Sequence, residues 1–139
     1  MNNFPEPNIF KAYDIRGVVD VTLTIETVEK IGKALGSYAL IKKQKKICVG
    51  YDGRLSSPNL SNALITGLLS TGIDVVNIGL ATTPMLYFSA HFLETHTGVM
   101  ITGSHNPPEY NGLKMMVDGT TLSSEEIQLL YQLIIAKDF

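Results

Sequence analysis

Across residues 24–41, apolar side chains fall at Ile25, Val28, Ile31, Leu35, Tyr38 and Leu40/Ile41. Steps of three and four place them on one face of a helix. Thr24 stands where an N-cap belongs, and Glu26 suits the positive pole of the first turn. Lys42, Lys43, Lys45 and Lys46 follow as solvated cations at the negative pole. The period then changes. Ile47-Cys48-Val49-Gly50-Tyr51 is a short continuous apolar run, the pattern of a buried strand. The turn-rich Asp52-Gly53-Arg54-Leu55-Ser56-Ser57-Pro58 leads into a second helix carrying Leu60, Ala63, Leu64, Gly67, Leu68 and Thr71 on one face and closing at Gly72. Ser57 and Pro58 read as its N-cap and first residue. Residues 73–78 form a strand ending at Gly79, 84–93 a short helix, 99–101 a third strand and 113–117 a fourth. After the turn Asp118-Gly119, a last helix presents Ile127, Leu130, Leu133 and Ile134, with Ser123 and Glu126 spaced as a capping box.

Strands alternating with helices predict an α/β fold, a three-layer α/β/α domain whose mixed, mostly parallel sheet has about four strands. The step from Ile101 to Leu113 is the exception. Its prolines and glycine leave no room for a crossover helix, so residues 113–117 are expected to run antiparallel to their neighbour. No repeat, low-complexity tract or linker divides the chain, and residues 1–139 read as one domain.

Composition narrows the function classes. The chain has 139 residues, 45% hydrophobic and 17% charged, with a net charge of -2. No global positive field exists to attract nucleic acid or anionic lipid, and neither is expected as a partner. An anionic substrate would have to be met by a few local cations. Cys48 is the single cysteine, which excludes an internal disulfide and fits a reducing cytoplasm. Residues 1–7 lack a basic start and an apolar run, so no signal peptide is read there. No stretch approaches the roughly 18 apolar residues of a membrane helix.

Candidate chemistry concentrates in Thr102-Gly103-Ser104-His105-Asn106-Pro107-Pro108. In open α/β sheets ligands bind at the carboxyl ends of strands, and the strand 99–101 delivers this loop to that edge. Gly103 permits a tight backbone and close approach to a ligand. Pro107 and Pro108 stiffen the exit. His105 and Asn106 offer donors, the loop amides could form an anion nest, and Lys114 follows as a mobile point charge. Residue types alone leave two readings open, a phosphate-holding serine loop or a polar turn capped by Ser104. Neither a Walker A loop nor the dinucleotide-binding glycine pattern occurs.

Residues 102–114, TGSHNPPEYNGLK, resemble the active-site serine motif of the α-D-phosphohexomutases, in particular the bacterial phosphomannomutase/phosphoglucomutase branch. Phe10-Lys11-Ala12-Tyr13-Asp14-Ile15-Arg16-Gly17 resembles the N-terminal signature of that family. Gly50-Tyr51-Asp52-Gly53-Arg54 resembles its DGR loop, with Tyr51 where arginine is frequent, and Thr82-Thr83-Pro84 its TP loop. These matches occur in the family's order and span nearly the whole chain.

The resemblance implies the first of four domains around a deep cleft, with domains 2–4 as the partners missing from this chain. It implies that Ser104 carries a phosphoryl group, passes it to a hexose phosphate (mannose or glucose 1- or 6-phosphate), and takes one back from the hexose 1,6-bisphosphate that forms. It places His105 and Lys114 beside Ser104 as catalytic residues, with Lys114 handling a proton or stabilising phosphate. Tyr13, Arg16, Arg54 and Asn106 become substrate- or phosphate-binding residues. Magnesium would bridge the Ser104 phosphate to an Asp-x-Asp-x-Asp run in domain 2, absent here; Asp52, Asp74 and Asp118 are scattered. On this reading the chain alone is inactive, and it could self-associate through apolar surface that neighbouring domains would cover. The alternatives are a phosphoglucosamine mutase-like domain and a non-catalytic phosphate-binding or interaction domain. Bland roles also remain, such as Arg16 pairing with Asp14 or Asp20.

Overall fold

A computed structural model of the protein describes residues 4–136. After a 3-10 turn at Pro7–Ile9, the elements are β1 (Ile15–Val18), α1 (Ile25–Ile41), β2 (Lys46–Tyr51), α2 (Ser57–Ser70), β3 (Asp74–Leu80), α3 (Thr83–Phe92), β4 (Gly98–Ile101), β5 (Tyr110–Val117), β6 (Thr120–Thr121) and α4 (Ser124–Ala136). They form the expected three layers. Sheet order is β1-β5-β4-β2-β3, with β6 added to β5. β2 pairs in parallel with both β3 and β4. β5 runs antiparallel to β4, as the helix-free connection required, and also to β1 and β6.

Two strands exceed the expected four, and both lengthen the antiparallel side. β1 escapes pattern reading because it offers only Ile15 and Val18 as apolar residues, around Arg16 and Gly17. Its existence depends on pairing Ile15 with Leu113 and Arg16 with Gly112 on β5. β6 has two exposed threonines and no hydrophobic signal.

One core joins Ile31 and Leu35 of α1, Leu64 and Leu68 of α2 and Ile127 and Leu130 of α4 to Ile47, Val49, Val99, Ile101, Leu113 and Met115 of the sheet. A smaller cluster of Cys48, Met100, Leu86 and Ala90 lies on the other face, under α3. The α1 stripe is only partly apolar in use. Ile25, Leu40 and Ile41 are exposed, while Gly32, Ala34, Gly36 and Ala39 are buried. Small residues occupy the buried face because α2 comes very close: a Cβ on Gly67 would sit 2.1 Å from the Glu29 carbonyl oxygen, and one on Gly32 2.5 Å from that of Leu64.

Caps follow the side-chain chemistry with one exception. Thr24 Oγ1 accepts from the Thr27 amide at 3.1 Å. Ser123 and Glu126 exchange both hydrogen bonds of the capping box, at 3.0 and 3.2 Å. Ser57, expected as the N-cap of α2, is instead its first residue, and Ser56 caps without a side-chain bond. The Ser57 hydroxyl is engaged elsewhere, as described below. α3 buries Leu86 and Ala90 but leaves Met85, Phe88 and Phe92 exposed on its outer ridge, with the two phenyl rings stacked at 5.8 Å. Among the described residues no helix is long and apolar enough to cross a membrane.

Candidate active site

The chain runs from β2 outward to β3 through α2, then back past β2 to β4 through α3. The two helices therefore cover opposite faces, and β2 and β4 become the switch point at whose carboxyl ends α/β sheets bind ligands. Asp52-Gly53-Arg54 leaves β2 there, and Thr102 to Pro108 leaves β4 there. The two loops are fastened to each other at once: the Asp52 amide donates to the Ile101 carbonyl and the Gly103 amide to Asp52 Oδ2, both at 2.9 Å.

Arg54 is the main fastening. Its Nη1 donates to the carbonyls of Pro107 at 2.7 Å and Tyr110 at 3.2 Å. Its Nη2 donates to those of Ser104 at 3.1 Å and Asn106 at 2.6 Å. Nε faces Asp52 Oδ2 at 3.6 Å. The guanidinium thus lies inside the curve of the loop, pressed on Gly103. A Cβ at position 103 would stand 1.9 Å from Arg54 Nε, so this glycine is required for close approach. Its φ is outside the left-handed region, and the tight conformation expected of Gly103 is taken by its neighbour.

Ser104 has φ 52, a left-handed backbone that a non-glycine residue adopts only when its surroundings hold it. Its amide donates to Thr102 Oγ1 at 3.0 Å, and its carbonyl accepts from Arg54. Its side chain is exposed, and Oγ has no hydrogen-bond partner among the described residues. Backbone and side chain are divided: the first is tied down, the second is presented.

The amides expected to form an anion nest are mostly spent. Those of Thr102, Gly103, Ser104 and Asn106 all donate inside the protein, leaving His105 as the amide that faces no protein acceptor. Asn106 Nδ2 also turns inward, onto the Gly103 carbonyl at 3.0 Å. Arg16 reaches the same carbonyl with Nη1 at 3.0 Å while Nη2 pairs with Asp14 Oδ2 at 2.7 Å. The bland pairing foreseen for Arg16 therefore exists, alongside its place at the loop.

Register places the remaining candidates. Lys114 lies opposite Met100 and two residues from Gly112, which faces Arg16. Residues directly opposite on neighbouring strands, and those two apart on one strand, share a face. Arg16 and Lys114 therefore occupy the α3 side of the sheet. α3 packs chiefly on β2 and β4, so these cations stand on the part of that face beyond the helix. Arg16 and Arg54 each have an aspartate partner, whereas Lys114 is half-buried with no carboxylate partner among the described residues. His105 and Tyr13 are exposed and make no hydrogen bond there.

Three supporting residues escaped the sequence reading. Ser57 Oγ donates to Asp52 Oδ1 at 2.6 Å, and buried Asn111 donates through Nδ2 to Ser57 Oγ at 3.0 Å and Ser56 Oγ at 2.8 Å. Burial alone would push Asp52 up. Hydrogen bonds from Ser57, the Gly103 and Arg54 amides and Thr102 outweigh it and hold the carboxyl below the usual aspartate range. Asp52 is thus an anion, committed to the loops. Asp52 and Asn111 stand inside the family-like motifs without a role there, and Ser57 beside Pro58 reads as a cap. Among the described residues no three His, Cys, Asp or Glu side chains gather to hold a metal. The site does not by itself fit a magnesium ion, which demands about six oxygen ligands.

Residues 7–139 match the family described as phosphoglucomutase/phosphomannomutase, alpha/beta/alpha domain I. The chain is 52% identical over 131 residues to the phosphomannomutase/phosphoglucomutase of Pseudomonas aeruginosa, covering 94% of this chain and 28% of that protein. It is 53% identical over 127 residues to the phosphoglucomutase of Neisseria meningitidis, covering 91% of this chain and 28% of that one. A solved structure of a phosphoglucomutase/phosphomannomutase family protein from Burkholderia thailandensis superposes with a TM-score of 0.93 at 40% identity, over 98% of this chain and 31% of that chain. The chain spans less than a third of the length of these relatives. With its tethered serine loop at the switch point of an α/β/α sheet, it belongs to the phosphoglucomutase/phosphomannomutase family and corresponds to that family's first domain.

Proposed function

We propose that this chain is the phosphoryl-carrying domain of a hexose-phosphate mutase, with Ser104 as donor and acceptor. The observation that carries the reading is the division at Ser104, an anchored left-handed backbone beneath an exposed, unpartnered Oγ. Phosphoryl transfer depends on positioning and charge neutralisation more than on covalent chemistry, and an oxygen carried on an anchored backbone serves the first need. In the forward step the Ser104 Oγ–phosphorus bond breaks and a bond forms from phosphorus to a sugar hydroxyl, which loses its proton. In the return step the other phosphate of the hexose 1,6-bisphosphate goes back to Oγ. Lys114, which has no carboxylate partner among the described residues, stabilises phosphate or handles that proton. His105, beside Ser104, contributes its exposed amide and ring. Arg16, Tyr13 and Asn106 border the sugar-phosphate path. Magnesium, when bound, neutralises charge on the phosphoryl oxygens. This chain would offer it Ser104 phosphate oxygens alone, and the remaining ligands would come from the longer part of such an enzyme.

Mannose and glucose phosphates are the substrate class. Incubation with glucose 1,6-bisphosphate followed by intact-mass and peptide mass spectrometry tests the carrier role. A single phosphoryl group on Ser104, lost in Ser104→Ala, is expected; a group on another residue overturns the reading. The 139-residue chain is expected to show no turnover with magnesium and bisphosphate, because it spans only 28% of its relatives' length. Measurable interconversion by the chain alone would contradict this.

A further inference from the structure

We infer that Arg54 is a positioning residue for the phosphoryl-carrier loop and not a ligand of the substrate. The inference rests on the carrier role proposed for Ser104 and revises the part that the family resemblance suggested for Arg54.

A guanidinium has five N–H donors and no acceptor. At Arg54 four lie on four loop carbonyls, those of Ser104, Asn106, Pro107 and Tyr110, and the fifth points at Asp52. No Nη donor is left for a phosphate. Three of these carbonyls belong to the eight-residue segment 102–109, which has no helix or sheet ladder of its own, and the fourth, Tyr110, opens β5. Such a segment has no ladder to hold its backbone in one conformation, and side-chain donors from outside can do so. Arg54 supplies such donors from Ser104 to Tyr110, and its grip on the Ser104 carbonyl fixes the residue whose Oγ reacts. Asp52 completes the clamp from the opposite side, by accepting from the Gly103 amide and from the Arg54 amide. Gly103 is the counterpart in the loop, since any Cβ there would occupy the guanidinium's place. Lysine cannot replace this group. Its ammonium is a compact point charge and cannot span four carbonyls in a plane.

The test uses the full-length protein that carries this domain, with Arg54→Lys, Arg54→Gln and Gly103→Ala. Misplacing the reacting oxygen by about 1 Å costs on the order of 100-fold, so kcat should fall about that far in all three, with KM for the hexose phosphate within about threefold of the parent. Retained charge in Arg54→Lys should give no rescue. Gly103→Ala made in the Arg54→Gln background should add less than about threefold, because the obstructing group is gone. Amide exchange at Ser104 and Asn106, whose amides donate within the loop, should rise at least about tenfold in every variant while β4 and α2 keep their protection. A KM rise of about tenfold with kcat retained, or recovery in Arg54→Lys, would make Arg54 a substrate ligand and overturn the inference. So would unchanged loop exchange. Because the exchange measurement needs no turnover, it decides the clamp even if Ser104 proves not to carry phosphate. Gly103→Ala supplies the same decision should an Arg54 variant fail to fold.

Discussion

Ser57 Oγ lies 2.6 Å from Asp52 Oδ1 and donates to it, so the first turn of α2 holds the carboxylate that holds the Ser104 loop. Ser57 is completely buried and also accepts from Asn111. Ser57→Ala removes both roles and leaves Asn111 short of an acceptor. Loss of a buried partner costs roughly 1–3 kcal/mol, and that much is expected in urea unfolding. The carboxyl of Asp52 is depressed in the folded state, so its stabilisation is present above the ordinary aspartate value of 3.8 and is lost as pH falls through the folded value. With a lowering hydrogen bond removed, the acid edge of stability in Ser57→Ala should move to higher pH. An unchanged edge would show that Ser57 does not support the charge.

The Tyr38 hydroxyl donates a hydrogen bond to Glu126 Oε2, tying α1 to α4. That bond, working against burial and helped by Ser123 and Lys42, holds the Glu126 carboxyl below its ordinary value of 4.5. Burial first, then the bond and charge of Glu126, drive the Tyr38 phenol well above its usual range. Glu126 therefore stabilises the fold above about pH 4.5, and the contribution disappears as pH falls through the lower folded value. Glu126→Gln should be less stable than the parent at pH 7, with the gap closing in thermal scans below pH 4.5. A gap constant with pH would disprove the linkage.

Gly67 faces the Glu29 carbonyl so closely that a methyl group cannot enter without separating α1 and α2. Alanine gains roughly 1 kcal/mol of helix propensity at an ordinary helical glycine. Here the added atom meets rigid backbone, so overpacking at the upper end, about 3 kcal/mol, should dominate and leave a net loss of about 2 kcal/mol. Gly53→Ala is the control, since nothing lies within 4 Å of the added atom. Melting temperatures of the two variants check the contrast.

The left-handed backbone of Ser104 costs on the order of 1 kcal/mol in any residue with a Cβ. Ser104→Gly releases it and is expected to unfold no more easily than the parent, with phosphoryl acceptance abolished. Ser104→Val keeps the strain and adds a branched side chain, so it should lose about 1–2 kcal/mol. Chemical denaturation separates the two. A Gly variant less stable than the Val variant would mean that the serine conformation is unstrained.

Much of this protein is determined locally. The spacing of Val28, Ile31 and Leu35, the Thr24 cap and the Ser123–Glu126 box specify helices because their interactions span three or four residues. The proline-rich step after Ile101 dictated the antiparallel turn into β5 for the same reason. The serine loop was legible as a motif. Its organisation was not. β1 is a strand only because β5 lies beside it, Ile25 and Ile41 are exposed only because α2 packs on the glycine and alanine face, and Gly103 is small because a residue 49 positions earlier fills its space. Arg54 has five donors in any conformation, and sequence cannot say whether they meet a ligand or a backbone. Only the fold, by bringing the ends of β2 and β4 together, turned them onto four carbonyls and left Ser104 Oγ facing outward.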